Sequence, residues 1–247
     1  QNIGSVVNRG WELSANVDII KSKEWKWNFG LDATFMTNKI QNLPNGQDII
    51  NGTLRRYSEG HSIYEYYTYH FEGVDQMTGR SLYTLDETTS DKAKSAGALV
   101  TINGKDYTTD ITYGKKDWAG SALPDVYGSI RTGAEWKGLS LNVLMTYSLG
   151  GKIYDSGYAS LMSTAANDAS ALHKDLLKSW SGIPAGMTDT SANRINPSGT
   201  PILDNNLSEF NNAASDRWLT SGSYLVMKNI TLSYQLPQRL VKEWGLQ

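Results

Sequence analysis

Two segments near the start of the chain alternate between apolar and polar residues with a strict period of two. In the first, Trp11, Leu13, Ala15, Val17 and Ile19 share one side and Glu12, Ser14, Asn16 and Asp18 the other. In the second, Trp25, Trp27, Phe29, Leu31, Ala33 and Phe35 oppose Lys26, Asn28, Asp32 and Thr34. Successive side chains of a strand point to opposite faces, so this pattern predicts two strands, each with one apolar and one wet side. Residues 21–24 are the turn between them. Each segment is about ten residues long, roughly twice a usual globular strand and close to what a tilted strand needs to cross a bilayer core.

Three further segments repeat the pattern. Val126, Ile130, Ala134 and Trp136 oppose Ser129, Arg131 and Glu135, and Lys137-Gly138 turns the chain into Leu139, Leu141, Val143, Met145, Tyr147 and Leu149. Near the end, Ile230, Leu232, Tyr234 and Leu236 alternate with polar residues until Pro237 stops them. The expected strands are thus about 10–21, 25–37, 124–136, 139–151 and 223–236. Two long excursions, about 38–123 and 152–222, separate them. The first holds a polar, turn-rich stretch to residue 60, an aromatic strip (Tyr64, Tyr66, Tyr67, Tyr69, Phe71), a turn at DQMTG (75–79) and, over 84–122, no stable period. The second carries a short helix expected over 171–180, with Leu172, Leu176 and Trp180 at spacing four.

Short turns and long excursions alternate along the chain. In an up-and-down antiparallel sheet, successive connections fall at opposite ends, so all the short turns lie on one side and all the long loops on the other. Transmembrane barrels show that asymmetry, with short periplasmic turns and long extracellular loops. The apolar faces contain no charge, and Trp11, Trp25, Trp27, Trp136 and Tyr234 stand where interfacial rings sit at headgroup level. The fold class is therefore an all-β membrane protein, part of a large up-and-down antiparallel transmembrane β-barrel. The chain reads as a fragment of something longer; alone, its strands would expose a lipid-facing surface and two unpaired edges and would aggregate.

Composition agrees with many strands and turns, at 14 Tyr, 8 Trp, 23 Gly and only 6 Pro. Mean hydropathy is negative, as barrels with wet lumens and long loops allow. A net charge of −2 gives no electrostatic reason to expect nucleic acid. With no cysteine, disulfides and thiolate metal sites are excluded. His61, His70 and His173 lack the spacing of a zinc site, the acidic groups at 86–91 and 204–209 lack the calcium-loop pattern, and no serine has a paired histidine. No catalytic constellation, metal site or cofactor is expected.

Residues 222–237 (GSYLVMKNITLSYQLP) closely resemble a C-terminal barrel phrase of SusC/RagA-like, TonB-dependent outer-membrane transporters. Residues 8–13 (NRGWEL), 73–79 (GVDQMTG), 124–138 and 147–154 (YSLGGKIY) follow the family's order, as do the element at 175–180, Thr188-Asp189 and Arg217-Trp218. The family's usual Arg in the first phrase is Val226 here. The resemblance implies one C-terminal barrel domain in the bacterial outer membrane, with the plug domain, the TonB-interacting segment and the final strands lying outside this sequence. It implies a transporter rather than an enzyme. The implied function is TonB-dependent import of oligosaccharides with a SusD-like surface lipoprotein, in a possible dimer of transporter–lipoprotein pairs; a peptide importer of the same family and a soluble carbohydrate-binding module are the alternatives. Aromatic side chains stack on apolar ligand faces, which makes Tyr64, Tyr66, Tyr67, Tyr69, Trp118, Trp180 and Trp218 the candidate substrate-binding residues, against simple loop packing or partner contact.

Overall fold

The computed structural model describes residues 4–163 and 171–245. It opens with two long strands, β1 (Ser5–Lys21) and β2 (Trp25–Asn42). The turn between them is closed by Ser22, whose amide donates to the Trp25 carbonyl at 2.8 Å while its hydroxyl oxygen accepts from the Trp25 amide at 2.9 Å. The first excursion carries β3 (Ile49–Asn51), β4 (Arg55–Tyr57), β5 (Glu65–Tyr69), β6 (Phe71–Asp75), β7 (Ser81–Thr84), α1 (Ser90–Ser95), β8 (Leu99–Ile102), β9 (Lys105–Thr108) and β10 (Lys116–Ser121). The chain then returns through β11 (Val126–Trp136) and β12 (Leu139–Leu149). The second excursion holds β13 (Lys152–Tyr154), α2 (Ser156–Leu161), β14 (Ile195–Asn196), α3 (Ser208–Asn211) and β15 (Leu219–Ser221), before β16 (Tyr224–Tyr234) and α4 (Gln238–Glu243).

The five long strands form one antiparallel sheet in the order β1-β2-β11-β12-β16. Register carries one row of outward residues across it: Leu13 faces Ala33, Ala33 faces Gly128, Gly128 faces Tyr147 and Tyr147 faces Leu225. At the short-turn end, Trp25 stacks on Trp136 with ring centres 5.5 Å apart. On the same outward face the Trp27 indole donates to the Thr132 hydroxyl at 2.9 Å, and that hydroxyl donates to the Asn28 carbonyl at 3.1 Å. Each polar atom is thereby satisfied within the sheet, as a surface facing hydrocarbon requires. Tyr147 lies across Gly128 and donates to the Asp32 carbonyl at 2.9 Å. A Cβ at Gly128 would run into that same carbonyl, so the close crossing needs glycine.

The other face is polar and self-paired. Asp32 accepts from Ser14 at 2.8 Å and Ser129 at 2.6 Å and pairs with Arg131 at 3.0 Å; Lys26 pairs with Glu135 at 3.1 Å. Neither face forms a core of its own. Among the described residues the fully buried large side chains lie in the excursions or, like Ile40, beneath them. A sheet with one bare apolar face and one charged face is a barrel wall between lipid and lumen.

Several elements differ from the pattern-based expectation. β1 starts at Ser5 rather than near residue 10, and β2 runs to Asn42 rather than 37. The apolar alternation stops where the strands leave the lipid, but ladder hydrogen bonds need no apolar side chains and continue. There the inward side of β2 is capped by the first excursion: Ile40 donates to the His61 carbonyl at 2.8 Å, and the Asn38 side-chain oxygen accepts from the Ser62 hydroxyl and the Ile63 amide, both at 2.9 Å. The stretch 84–122, in which short β-like pieces such as 98–102 but no stable period were expected, contains β8 at that place together with β9, β10 and α1. The helix expected over 171–180 is a 3₁₀ turn at Lys174–Lys178, which buries Leu176 and turns Leu177 outward. After Pro237 the chain forms α4 rather than a simple turn.

The two excursions are one folded body. A sheet of order β14-β6-β7-β9-β8 draws β14 from the second excursion into the first, over a core of Leu82, Ile102 and Tyr107 with Val100 and Ile195. Arg194 grips Asp75 through two hydrogen bonds, 2.8 and 3.1 Å, with the Asp75 carboxylate wholly buried. Tyr83 donates to the Phe210 carbonyl at 2.6 Å, Ser81 donates to the Asn211 carbonyl at 2.8 Å, and His70 and Phe71 both meet the Asp216 carboxylate. These contacts tie the second excursion to the first at the long-loop end of the wall.

Candidate functional site

The aromatic strip is carried by β5, whose alternation divides it. Tyr66 and Thr68 face inward; Tyr66 is buried, accepts from the Tyr154 amide at 3.3 Å and has the Arg55 guanidinium 4.9 Å from its ring centre. Tyr67 and Tyr69 face the other way and pair with Trp118 and Lys116 of β10. Trp118 meets Tyr67 edge-on at 5.1 Å and has His61 stacked on its face at 3.8 Å, nearly parallel. His61 in turn lies 2.7 Å from Glu65. Arg56 donates to the Tyr67 hydroxyl at 2.9 Å and pairs with Asp48, and Lys116 sits 4.8 Å from the Tyr69 ring centre. The Ser58 hydroxyl and the Arg56 guanidinium hold the Asp48 carboxyl below the usual carboxylate range. The strip is thus a connected set of rings whose faces are largely taken by neighbouring cations and His61. Tyr64, with an exposure of 39%, is the open member.

The two remaining tryptophans part company. Trp218 is buried at 2% exposure, donates to the Ala213 carbonyl at 3.0 Å, and packs with Met162, Leu176, Tyr158 and the Arg217 guanidinium. It has no face for a ligand, so its expected role as a stacking residue is corrected to that of a core residue; burial likewise removes Tyr66. Burial also lowers the affinity of Arg217 for its proton, which the Tyr83 and Tyr158 hydroxyls partly offset. Trp180 stays half-buried. Its indole donates to the Gln76 carbonyl at 3.0 Å, its amide to the Thr200 carbonyl at 2.9 Å, and its ring lies flat on Gly79, where a Cβ would fall 2.5 Å from it.

Trp180 forms one wall of an open groove of about 650 Å³ whose other apolar walls are Leu172, Leu176, Leu177, Ile202 and Leu203. Leu177 is 91% exposed, and Leu172 and Leu203 are more than half exposed. His173, Lys174, Ser179 and Ser181 supply the polar groups of its lining. Sequence reading missed these aliphatic residues, because Leu172, Leu176 and Trp180 fit the spacing of a helix face and Leu177 falls outside it. Its adjacency to Leu176 was the available signal, since one of the two must point outward. Among the described residues no group of three metal-ligating side chains converges.

No family model matches the chain. TonB-dependent receptor P3 of Formosa agariphila is 26% identical over the whole chain, and TonB-dependent receptor P39 of the same organism is 23% identical over 99% of it. Among solved structures, the RagAB peptide transporter superposes over 97% of the chain with a TM-score of 0.69 at 22% identity. The RagAB peptide importer in its closed-closed state gives 0.68 over 98%. The chain is similar over its whole length to TonB-dependent receptors, and its fold is that of a stretch of a solved transporter of that architecture. It spans about a quarter of the length of these curated relatives, 23% and 25%. As part of an outer-membrane β-barrel it carries its apolar belt in lipid. The stacked Trp25 and Trp136 at the short-turn end stand where an aromatic girdle sits.

Proposed function

We propose that the receptor to which this segment belongs imports an oligomeric nutrient across the outer membrane, driven by TonB through a plug domain, with a SusD-like surface lipoprotein closing over the excursions. The similarity of the whole chain to TonB-dependent receptors supports this reading. In it, residues 1–247 form a single stretch of the C-terminal barrel domain, the two excursions are its extracellular loops, and two transporter–lipoprotein pairs associate as a dimer.

For the cargo, the observation that weighs most is the lining of the groove. Leu172, Leu177, Trp180, Ile202 and Leu203 offer a mostly apolar lining, which suits the apolar side chains of a peptide. A sugar needs hydroxyl partners beside an open aromatic face, and most rings of the β5 strip are engaged by Arg55, Arg56, Lys116 and His61. The similarity to structures of a peptide transporter points the same way. We assign a peptide cargo, with Trp180 and Leu177 as contact residues. Oligosaccharide is the second reading, with the exposed Tyr64 as its platform.

The test is calorimetric titration of the intact receptor–lipoprotein complex with a defined mixture of short apolar peptides and, separately, with oligosaccharides. Trp180→Ala should weaken peptide binding by about tenfold or more, the loss typical of a central aromatic contact. Peptide binding unaffected by both Trp180→Ala and Leu177→Asp would remove the groove from the binding path, and heat released only by oligosaccharide would replace the cargo.

A further inference from the structure

The groove beside Trp180 has a one-sided polar lining. Besides its apolar walls it holds His173, Lys174, Ser179 and Ser181, and neither a carboxylate nor a carboxamide. The acids nearest in sequence are turned to neighbours of their own. Asp175 accepts from the Lys178 ammonium at 2.8 Å and from the Tyr158 hydroxyl at 3.1 Å. Asp204, which follows Leu203, accepts from the Asn206 amide at 2.8 Å. Lys174 is exposed and, among the described residues, enters no ion pair. Its place in an apolar lining that holds no acid sets it apart from the other exposed lysines.

His173 fixes the character of this lining. It caps the 3₁₀ turn Lys174–Lys178: its Nδ1 accepts from the Asp175 amide at 3.2 Å, while the Tyr158 ring meets it edge-on at 4.8 Å. The Asp175 carboxylate also lies 3.3 Å from Nδ1. That carboxylate already has Lys178 and Tyr158, whereas an amide in the first turn of a helix needs an acceptor from outside it, so the amide sets the tautomer. A ring nitrogen that accepts an amide proton carries none of its own, which places the imidazole proton on Nε2. Nε2 has no partner among the described residues. The groove thus presents an ammonium and an imidazole N–H, both donors. Ser179 adds a buried hydroxyl that meets no partner within the protein.

We propose that the groove binds a carboxylate carried by an apolar peptide, held by Lys174 and the Nε2–H of His173, with the peptide's apolar side chains against Leu177, Trp180 and Leu203. This rests on the peptide-cargo reading above and narrows it. Charge complementarity selects the ligand group, since hydrogen bonds from a cation to a carboxylate are about twice as strong as neutral ones. The cargo is then a peptide with a free C-terminal carboxylate beside apolar residues, such as endoproteolysis leaves, or one with an acidic side chain at that place.

The test is calorimetric titration of the intact receptor–lipoprotein complex with three N-acetylated tetrapeptides of leucine and alanine: the free acid, its C-terminal amide, and an amide in which one residue is glutamate. The wild-type complex should bind the free acid about tenfold more tightly than the plain amide, the loss expected for one hydrogen bond to a charged group. An equal gain from the glutamate peptide shows that a side-chain carboxylate serves as well, and a gain confined to one of the two names the source. His173→Asn keeps the cap, since asparagine accepts the same amide, but its short side chain ends there and brings no Nε2–H. Lys174→Gln removes the charge from an exposed position. In the double variant the free acid and the plain amide should bind equally well. This comparison reads the carboxylate and not the fold, because a variant that merely loosens the groove weakens both peptides alike. If neither carboxylate peptide binds the wild-type complex more tightly than the plain amide, while Trp180→Ala weakens all three, the carboxylate site is overturned and the peptide cargo stands. A preference for the free acid that survives in the double variant overturns the assignment to His173 and Lys174. Absence of binding by all three peptides overturns the cargo and the site together.

Discussion

Replacing Arg194 by Ala removes the cation from the buried clasp that ties the second excursion to the first. Asp75 has no exposed surface and the Arg194 side chain only 9%, and two hydrogen bonds of 2.8 and 3.1 Å join them. Breaking a buried pair by removing one partner costs about 3–5 kcal/mol, because the remaining charge is stranded. At about 1.4 kcal/mol per factor of ten, local opening of the clasp should become roughly a hundred to a few thousand times more frequent. Hydrogen exchange on the intact receptor in detergent reads this at the Gln76 amide, which donates to the Arg194 carbonyl at 2.8 Å, and at the β6–β14 pair. The amides of β1 and β2 should be unaffected, since their ladder does not pass through the clasp. Substituting both partners with apolar residues of similar volume should restore much of the protection. Burial opposes the charge of Asp75, but Arg194, the Met77 amide and the Thr78 hydroxyl more than offset it and hold the carboxyl below its ordinary range. The folded carboxyl is therefore the stronger acid, so its contribution is intact above about pH 4, the unfolded value, and is lost as pH falls through the lower folded value. Unchanged exchange at Gln76 in Arg194→Ala would refute the role of the pair in joining the excursions.

Trp218→Ala should destabilise the second excursion by about 3–5 kcal/mol through the cavity it leaves, seen as faster proteolysis between residues 150 and 222 with the barrel intact; a loss of ligand affinity without added proteolysis would contradict its assignment to the core. Thr132→Val leaves the Trp27 indole without an acceptor in lipid and should lower the unfolding free energy of the barrel by about 1–3 kcal/mol in urea titrations of the reconstituted receptor. Burial pushes the Tyr83 phenol up to about 12, with Arg217 opposing. Its ultraviolet phenolate signal should therefore be missing at pH 10–11, where free tyrosine ionises, and the loop body should lose stability as pH rises from about 10 toward that value.

Much of the barrel wall was legible from the residue pattern. Lipid and lumen act on each side chain separately and alternate with the pleat, so Leu13, Leu31 and Leu141 reveal their face without knowledge of their neighbours. The hydrogen-bonded order of the strands followed from their alternating connections. The strand ends were less legible, because above the Trp11/Phe35 row the ladder of β1 and β2 persists without an apolar signature. The excursions were hardly legible at all. Their stability comes from contacts such as Asp75–Arg194, 119 residues apart in sequence, and Thr68–Ala214, 146 apart, and no local period encodes such pairs.

The candidate site divides along the same line. Sequence alone picked out the aromatic residues of the loops as those able to engage a ligand, since ring chemistry belongs to the residue type. Only the tertiary structure decided which rings remain open. Trp180 and Trp218 are indistinguishable as loop tryptophans, yet one borders an open groove and the other is enclosed by Met162, Leu176 and Tyr158. Composition and period determine what a side chain can do and which face of a strand it takes. Whether its surface is available depends on partners brought from far along the chain, and that is settled by packing.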